Sequence, residues 1–234
     1  MGAFFEYGRG DYDTHNSFAD AASVRGGGTT DYAGGGLLGH FAFAGTSSGN
    51  FYAEAGGRMG RVRSGYSSSD LRDSEGRRAE YDTENLYYGL HLGVGYVWTV
   101  PGLDDRGTLD FSGKYFWTHQ DGDSVTLSTG DRMQFRDVDS HRLRVGGRFA
   151  YALDDFISPY IGAAFEHDFG GEAEAVTNGY AVSAPTLRGS TGAGEIGVTV
   201  RPAAASPFSV DFGIQGYTGK REGLTGNLQL KFIF

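Results

Sequence analysis

Three of the six histidines stand close to aspartate at expected loop ends: Asp13 with His15, His119 with Asp121 and Asp123, and His167 with Asp168. A carboxylate that orients an imidazole makes a general base, and such a pair could activate water for peptide hydrolysis. That chemistry is a matter of geometry, which spacing along a loop does not supply. The pairs are therefore read as polar loop and rim residues, and the chain as a non-enzyme. Asp121–Ser124 resembles the opening of a calcium loop without its remaining ligands. The sequence has no cysteine and no Walker or HExxH motif. The glycine triplets 26–28 and 34–36 precede no helical pattern, so they are not phosphate cradles. No metal or cofactor is called for.

A second set of polar residues is set by alternation. Glu6, Glu54, Arg58, Lys114, Arg142, Arg144, Arg148, Glu166, Glu195 and Asp211 occupy every-other-residue positions whose neighbours are apolar or aromatic. Residues 85–98 (NLYYGLHLGVGYVW) are the clearest case. Leu86, Tyr88, Leu90, Leu92, Val94, Tyr96 and Trp98 fall on one face, which would extend roughly 40 Å as a straight strand. Residues 108–118, 141–151 and 208–215 repeat the pattern. Further candidates lie at 2–9, 31–43, 50–62, 159–168 and 193–201, and the chain closes on NLQLKFIF, residues 227–234. Alternation thus gives about ten strands and no helix.

Composition agrees with many strands and tight turns. There are 40 glycines, 31 Tyr plus Phe and only 5 prolines in 234 residues. The net charge of −9 argues against a nucleic-acid partner, which needs clustered basic charge. No run of about 18 apolar residues is present, so no transmembrane helix is expected. The mean hydropathy of −0.35 does not imply water solubility, because a membrane barrel alternates lipid-facing and lumen-facing residues.

Connection lengths decide between membrane and water. Residues 10–30, 64–82, 119–140 and 169–190 read as long loops. Residues 44–49, 101–107, 153–158 and 202–207 read as short turns, and 218–223 as a modest link. Long loops on one side and short turns on the other are the outer-membrane pattern, with both chain ends periplasmic. Tyr96, Trp98, Tyr115, Trp117 and Phe208 flank the turns where an interfacial aromatic belt would lie. The ten charged residues would each cost about 2–4 kcal/mol facing lipid at the midplane, so they are expected to line the lumen. The expected fold is a single domain over residues 1–234, an all-β, antiparallel up-and-down transmembrane β-barrel of the outer-membrane type.

Several stretches resemble the C-terminal translocator barrel of the autotransporter family (type V secretion) of Gram-negative bacteria. They are FFEYGRGDYDT (4–14), YYGLHLGVGYVW (87–98), GKYFWTHQDGDSVTLSTGD (113–131), VDSHRLRVGGRF (138–149), APTLRGSTGAGEIGVTVRP (184–202) and SVDFGIQGYTGKREGLTGNLQLKFIF (209–234). The resemblance implies a twelve-stranded barrel that anchors and helps export a passenger domain. Two further strands, a linker helix and the passenger are then expected upstream of Met1. It also implies that Leu228, Leu230, Phe232 and Phe234 are read by the barrel assembly machinery, and that outer-membrane lipid is the surrounding medium. The competing expectation is a self-contained barrel acting through its long loops as a surface adhesin or rim protease.

Overall fold

The computed structural model describes residues 1–16, 22–46, 48–177, 180–182, 186–202 and 206–232. Ten long strands follow one another as an antiparallel meander: β1 (Gly2–Asn16), β2 (Val24–Ala42), β3 (Gly49–Arg72), β4 (Arg78–Thr99), β5 (Gly107–Gln120), β8 (Val138–Tyr151), β9 (Ile157–Asp168), β12 (Gly189–Val200), β13 (Phe208–Gly219) and β14 (Gly223–Phe232). Each pairs with its neighbours in that order, and the sheet curls with one apolar and one polar face. Among the described residues no ladder joins β1 to β14. Four short strands, β6 (Ser124–Thr126), β7 (Arg132–Phe135), β10 (Ala175–Thr177) and β11 (Tyr180–Val182), form a second sheet in the order β11-β10-β7-β6.

Strand ends run further than alternation of apolar residues suggests. Much of the expected loops 10–30 and 64–82 is ladder: Asn16 pairs with Val24 and Ser67 with Glu80. Past the apolar band the strands keep a two-residue period, but their exposed face turns charged. Arg61 and Arg63 share Glu84 there, each at 2.7 Å. The register shifts between Ser67 and Arg72, where the buried Ser68 hydroxyl donates to Arg25 O and accepts from the N–H of Leu71. The connections 119–140 and 169–190 likewise carry the four short strands, and the β7–β10 ladder links them.

The two faces of the large sheet differ in chemistry. One carries Phe5, Leu37, Met59, Leu90, Leu92, Val94, Phe165, Ile196, Leu228 and Leu230, all exposed, with Phe5 at 94%. An apolar surface of that extent has no place in water, where exposed patches of more than a few hundred Å² are rare. The opposite face holds the buried groups, including Tyr52, Tyr87, Tyr160, Glu166, Thr191 and Asp211. A soluble fold hides its apolar side; this one hides its polar side, as a barrel set in lipid must.

Candidate functional site: the charged inner face

The ladder registers put all ten alternating charges on the occluded face. Glu6 is opposite Gly34 on β1–β2, Arg58 opposite Gly89 on β3–β4, and Lys114 opposite both Gly93 and Arg144. Arg144 is opposite Glu166, Arg148 opposite Gly162, and Gly162 opposite Glu195. Arg142 and Asp211 share the parity of these neighbours. Small residues beside long charged ones give each side chain room to lie across the sheet.

The charges are nearly all paired. Arg58 Nη1 meets Glu6 Oε2 at 3.2 Å, and Arg58 Nη2 donates to Thr118 Oγ1 at 3.0 Å. Lys114 Nζ lies 2.6 Å from Glu54, whose carboxylate also has His91 Nε2 at 3.7 Å. Arg148 forms a two-pronged pair with Glu195 at 2.7 and 3.0 Å, and its guanidinium carbon sits 4.1 Å from the centre of the Tyr160 ring. Asp211 accepts from Tyr160 and Thr199, both at 2.8 Å. Glu166, 4% exposed, gathers three guanidiniums: Arg144 at 2.7 Å, Arg142 at 4.0 Å and Arg221. Removing these ions from water is offset only where a partner stands in place.

Tyrosines make up the second half of this face. Tyr87 Oη donates to Glu6 at 2.7 Å, and Tyr52 Oη donates to Asp110 at 2.9 Å. Each ring needs a flat path across neighbouring strands. Tyr87 crosses Gly60 and Gly34, and Tyr160 crosses Gly197 and Gly213; a Cβ at any of the four would collide with the tyrosine. The expected charged set missed Tyr52, Tyr87, Tyr160, Asp110, His91 and Arg221. All but Arg221 share the strand parity of the charges and could have been read from it. Arg221 lies in the turn after β13, where there is no parity to read.

The expected aromatic belt falls on the exposed face. Tyr96 packs against Phe51 with ring centres 4.6 Å apart, and Trp98 stands opposite Gly49 and Leu109. Tyr115 Oη and His141 Nδ1 are 2.7 Å apart, and Trp117 Nε1 donates to Asp139 at 3.0 Å. Phe208 pairs in register with Phe232. On β14, Leu228 and Leu230 are exposed opposite Phe212 and Val210. Phe234 lies outside the described residues.

Of the histidine pairs, only His167 and Asp168 part fully. His167 and Asp168 point to opposite faces of β9: His167 Nδ1 is 2.9 Å from Ser190 Oγ, whereas Asp168 accepts from Ser140 at 2.7 Å. His119 Nδ1 is 3.0 Å from Asp139, a residue outside the expected pair, and its Nε2 is 3.5 Å from Asp121. Asp123 accepts instead from the Ser124 N–H at 2.6 Å. Asp13 and His15 share a face of β1, opposite Gly27 and Arg25.

Comparison with known proteins places this architecture. The transport unit of the autotransporter AIDA-I from Escherichia coli is similar, with a TM-score of 0.55 and 17% identity, over 99% of this chain and 90% of that one. The β-domain of the Bordetella autotransporter BrkA is similar at a TM-score of 0.54 and 14% identity, over 99% of both chains. At such identities the likeness is one of fold. No curated protein matches the chain by sequence. The profile of the family described as "Autotransporter beta-domain" matches residues 1–215. The match spans nearly the whole ten-stranded curled sheet, and the chain belongs to the autotransporter β-domain family.

Proposed function

We propose that this chain is the outer-membrane anchor and conduit for a passenger polypeptide encoded upstream, with both of its ends on the periplasmic side. The observation that carries this reading is the segregation of the two faces. The exposed face presents Leu90, Leu92, Val94 and Ile196 to the surroundings, while the paired ions from Glu6 to Asp211 lie on the hidden face. Membership of the family supports a translocator role. A lumen lined by ions that already neutralise one another offers a wetted path without gripping what passes. The exposed stripe of β14 offers the assembly machinery an extended edge, which main-chain hydrogen bonds can capture. Residues 1–234 act as one barrel domain in this reading, without catalysis.

The test is surface display. The chain is joined to its natural upstream region with a protease-accessible reporter, expressed in a Gram-negative host, and probed on intact cells. Reporter at the surface supports the conduit. A folded barrel in the outer membrane with all reporter retained inside would refute it.

A further inference from the structure

We propose that the arginine cluster around Glu166 is an oxyanion site that takes a carboxylate or phosphate group presented inside the barrel. The proposal rests on the lumen reading of this face. Arg142 and Arg144 come from β8 and Arg221 from the turn after β13, and all three converge on Glu166. Two of the three lie close against Glu166. Arg144 donates to Glu166 at 2.7 Å and, with the Gln215 amide turned to offer its oxygen, to Gln215 at 2.7 and 3.2 Å. Arg221 pairs with Glu166 and lies over the Tyr217 ring.

Arg142 is different. Its one ion pair among the described residues is the 4.0 Å approach to Glu166, beyond hydrogen-bond reach. Its Nε is buried with no hydrogen-bond partner. Asp168, opposite Arg142 in the ladder, supplies a nearby negative charge but no hydrogen bond to it, its oxygens accepting from the Ser140 hydroxyl and the Gly170 N–H. Phe116 holds the guanidinium from one side, 5.2 Å from its ring centre. A half-buried cation whose Nε is shut away from water without a partner is costly to maintain. A two-oxygen anion relieves that cost, because the guanidinium fork matches carboxylate and phosphate geometry. Glu166 then serves as the brace that keeps three like charges together, while Arg142 reads the ligand.

The test uses the whole chain, refolded in neutral detergent, with inorganic phosphate and a fluorescent glutamate-rich peptide as probes. Phosphate is expected to raise the thermal midpoint relative to chloride at equal ionic strength, and the peptide to give saturable anisotropy. R142Q should weaken both by about tenfold or more, with R142K restoring part, since lysine keeps the charge and loses the fork. The decisive readout is the dependence of the midpoint on phosphate, which a purely structural cation would leave unchanged. If R142Q does not refold, R142K carries the test through a reduced phosphate response. Peptide binding at far lower concentration than phosphate identifies polypeptide carboxylates as the natural source; equal binding identifies a small anion. No saturable response to either probe, or folded R142Q and R142K variants that respond like the parent, overturns the site. Display of a passenger is scored separately. Lost display with intact anion binding removes only the conduit, and intact display without anion binding removes only this site.

Discussion

Tyr87 on β4 donates a hydrogen bond to Glu6 on β1, spanning the two strands between them. The contact exists because Gly60 and Gly34 leave a flat floor beneath the ring. Gly60→Val would press on the Ala33 carbonyl as well as on the ring, pushing Tyr87 off this path and away from Glu6, at about 1–3 kcal/mol. Tyr87→Phe, which leaves Glu6 paired with Arg58, should cost about 1 kcal/mol or less. Urea unfolding in micelles, followed by tryptophan fluorescence, ranks the two; equal effects would contradict the steric account.

Glu166 is the shared counterion of three arginines, so its loss leaves them facing one another. Glu166→Leu should destabilise the barrel by about 3–5 kcal/mol, the cost of breaking a buried ion cluster from one side. The same unfolding measurement checks this. Glu84, which pairs with the exposed Arg61 and Arg63, is the control: Glu84→Leu should change little.

The membrane boundary on β4 can be mapped with single arginines. Leu92 lies mid-band among exposed apolar residues, while Leu86 stands opposite Arg61 near the charged end. Leu92→Arg should cost about 2–4 kcal/mol in bilayers, and Leu86→Arg about 0–1 kcal/mol. Similar costs at the two positions, measured by unfolding from vesicles, would place the lipid band elsewhere.

A role for β14 in assembly separates from its role in packing. Leu228→Ser with Leu230→Ser should lower the amount of heat-modifiable barrel in cell envelopes several-fold more than Ile161→Ser with Ile196→Ser. Both pairs face outward and lose similar apolar area. Equal losses would reduce β14 to an ordinary lipid-facing strand.

The β3–β4 turn carries a pH-sensitive staple outside the apolar band. Desolvation raises the Asp73 pKa, but hydrogen bonds from the Arg77 side chain and the N–H groups of Arg77 and Glu75 outweigh it, leaving the carboxyl below its usual range. A lowered folded-state pKa adds stability above the unfolded pKa of about 3.9 and loses it as pH falls through the folded value. Amide exchange at Glu75 and Arg77 should therefore stay slow at neutral pH and quicken, relative to other turns, in that acid range. Asp73→Asn should flatten the dependence.

Much of this was legible in the residues. A period of two fixes which side chains share a face, and a charge facing lipid is too costly to leave the choice open. The four short turns followed from the same alternation. What escaped the pattern was contact across strands. Parity separates Tyr87 from the outward-facing Tyr88, but nothing local shows that Tyr87 lies above two glycines and reaches Glu6. His119 met Asp139, 20 residues away, rather than Asp123. The extended ends of β3 and β4 were hidden because their outward residues are charged, so apolar alternation stops before the ladder does.

The β7–β10 ladder, three residue pairs from Ala175–Phe135 to Thr177–Met133, ties two loops that leave the barrel between different strands. Arg136 adds a 2.7 Å pair to Glu174 beside it. The two loops therefore cannot diverge independently. An insertion or deletion that shifts one by a single residue turns its paired side chains over relative to the other. Changes in length should be tolerated at the hairpin tips and suppressed in these few residues. The surface these two loops form can change only as a pair.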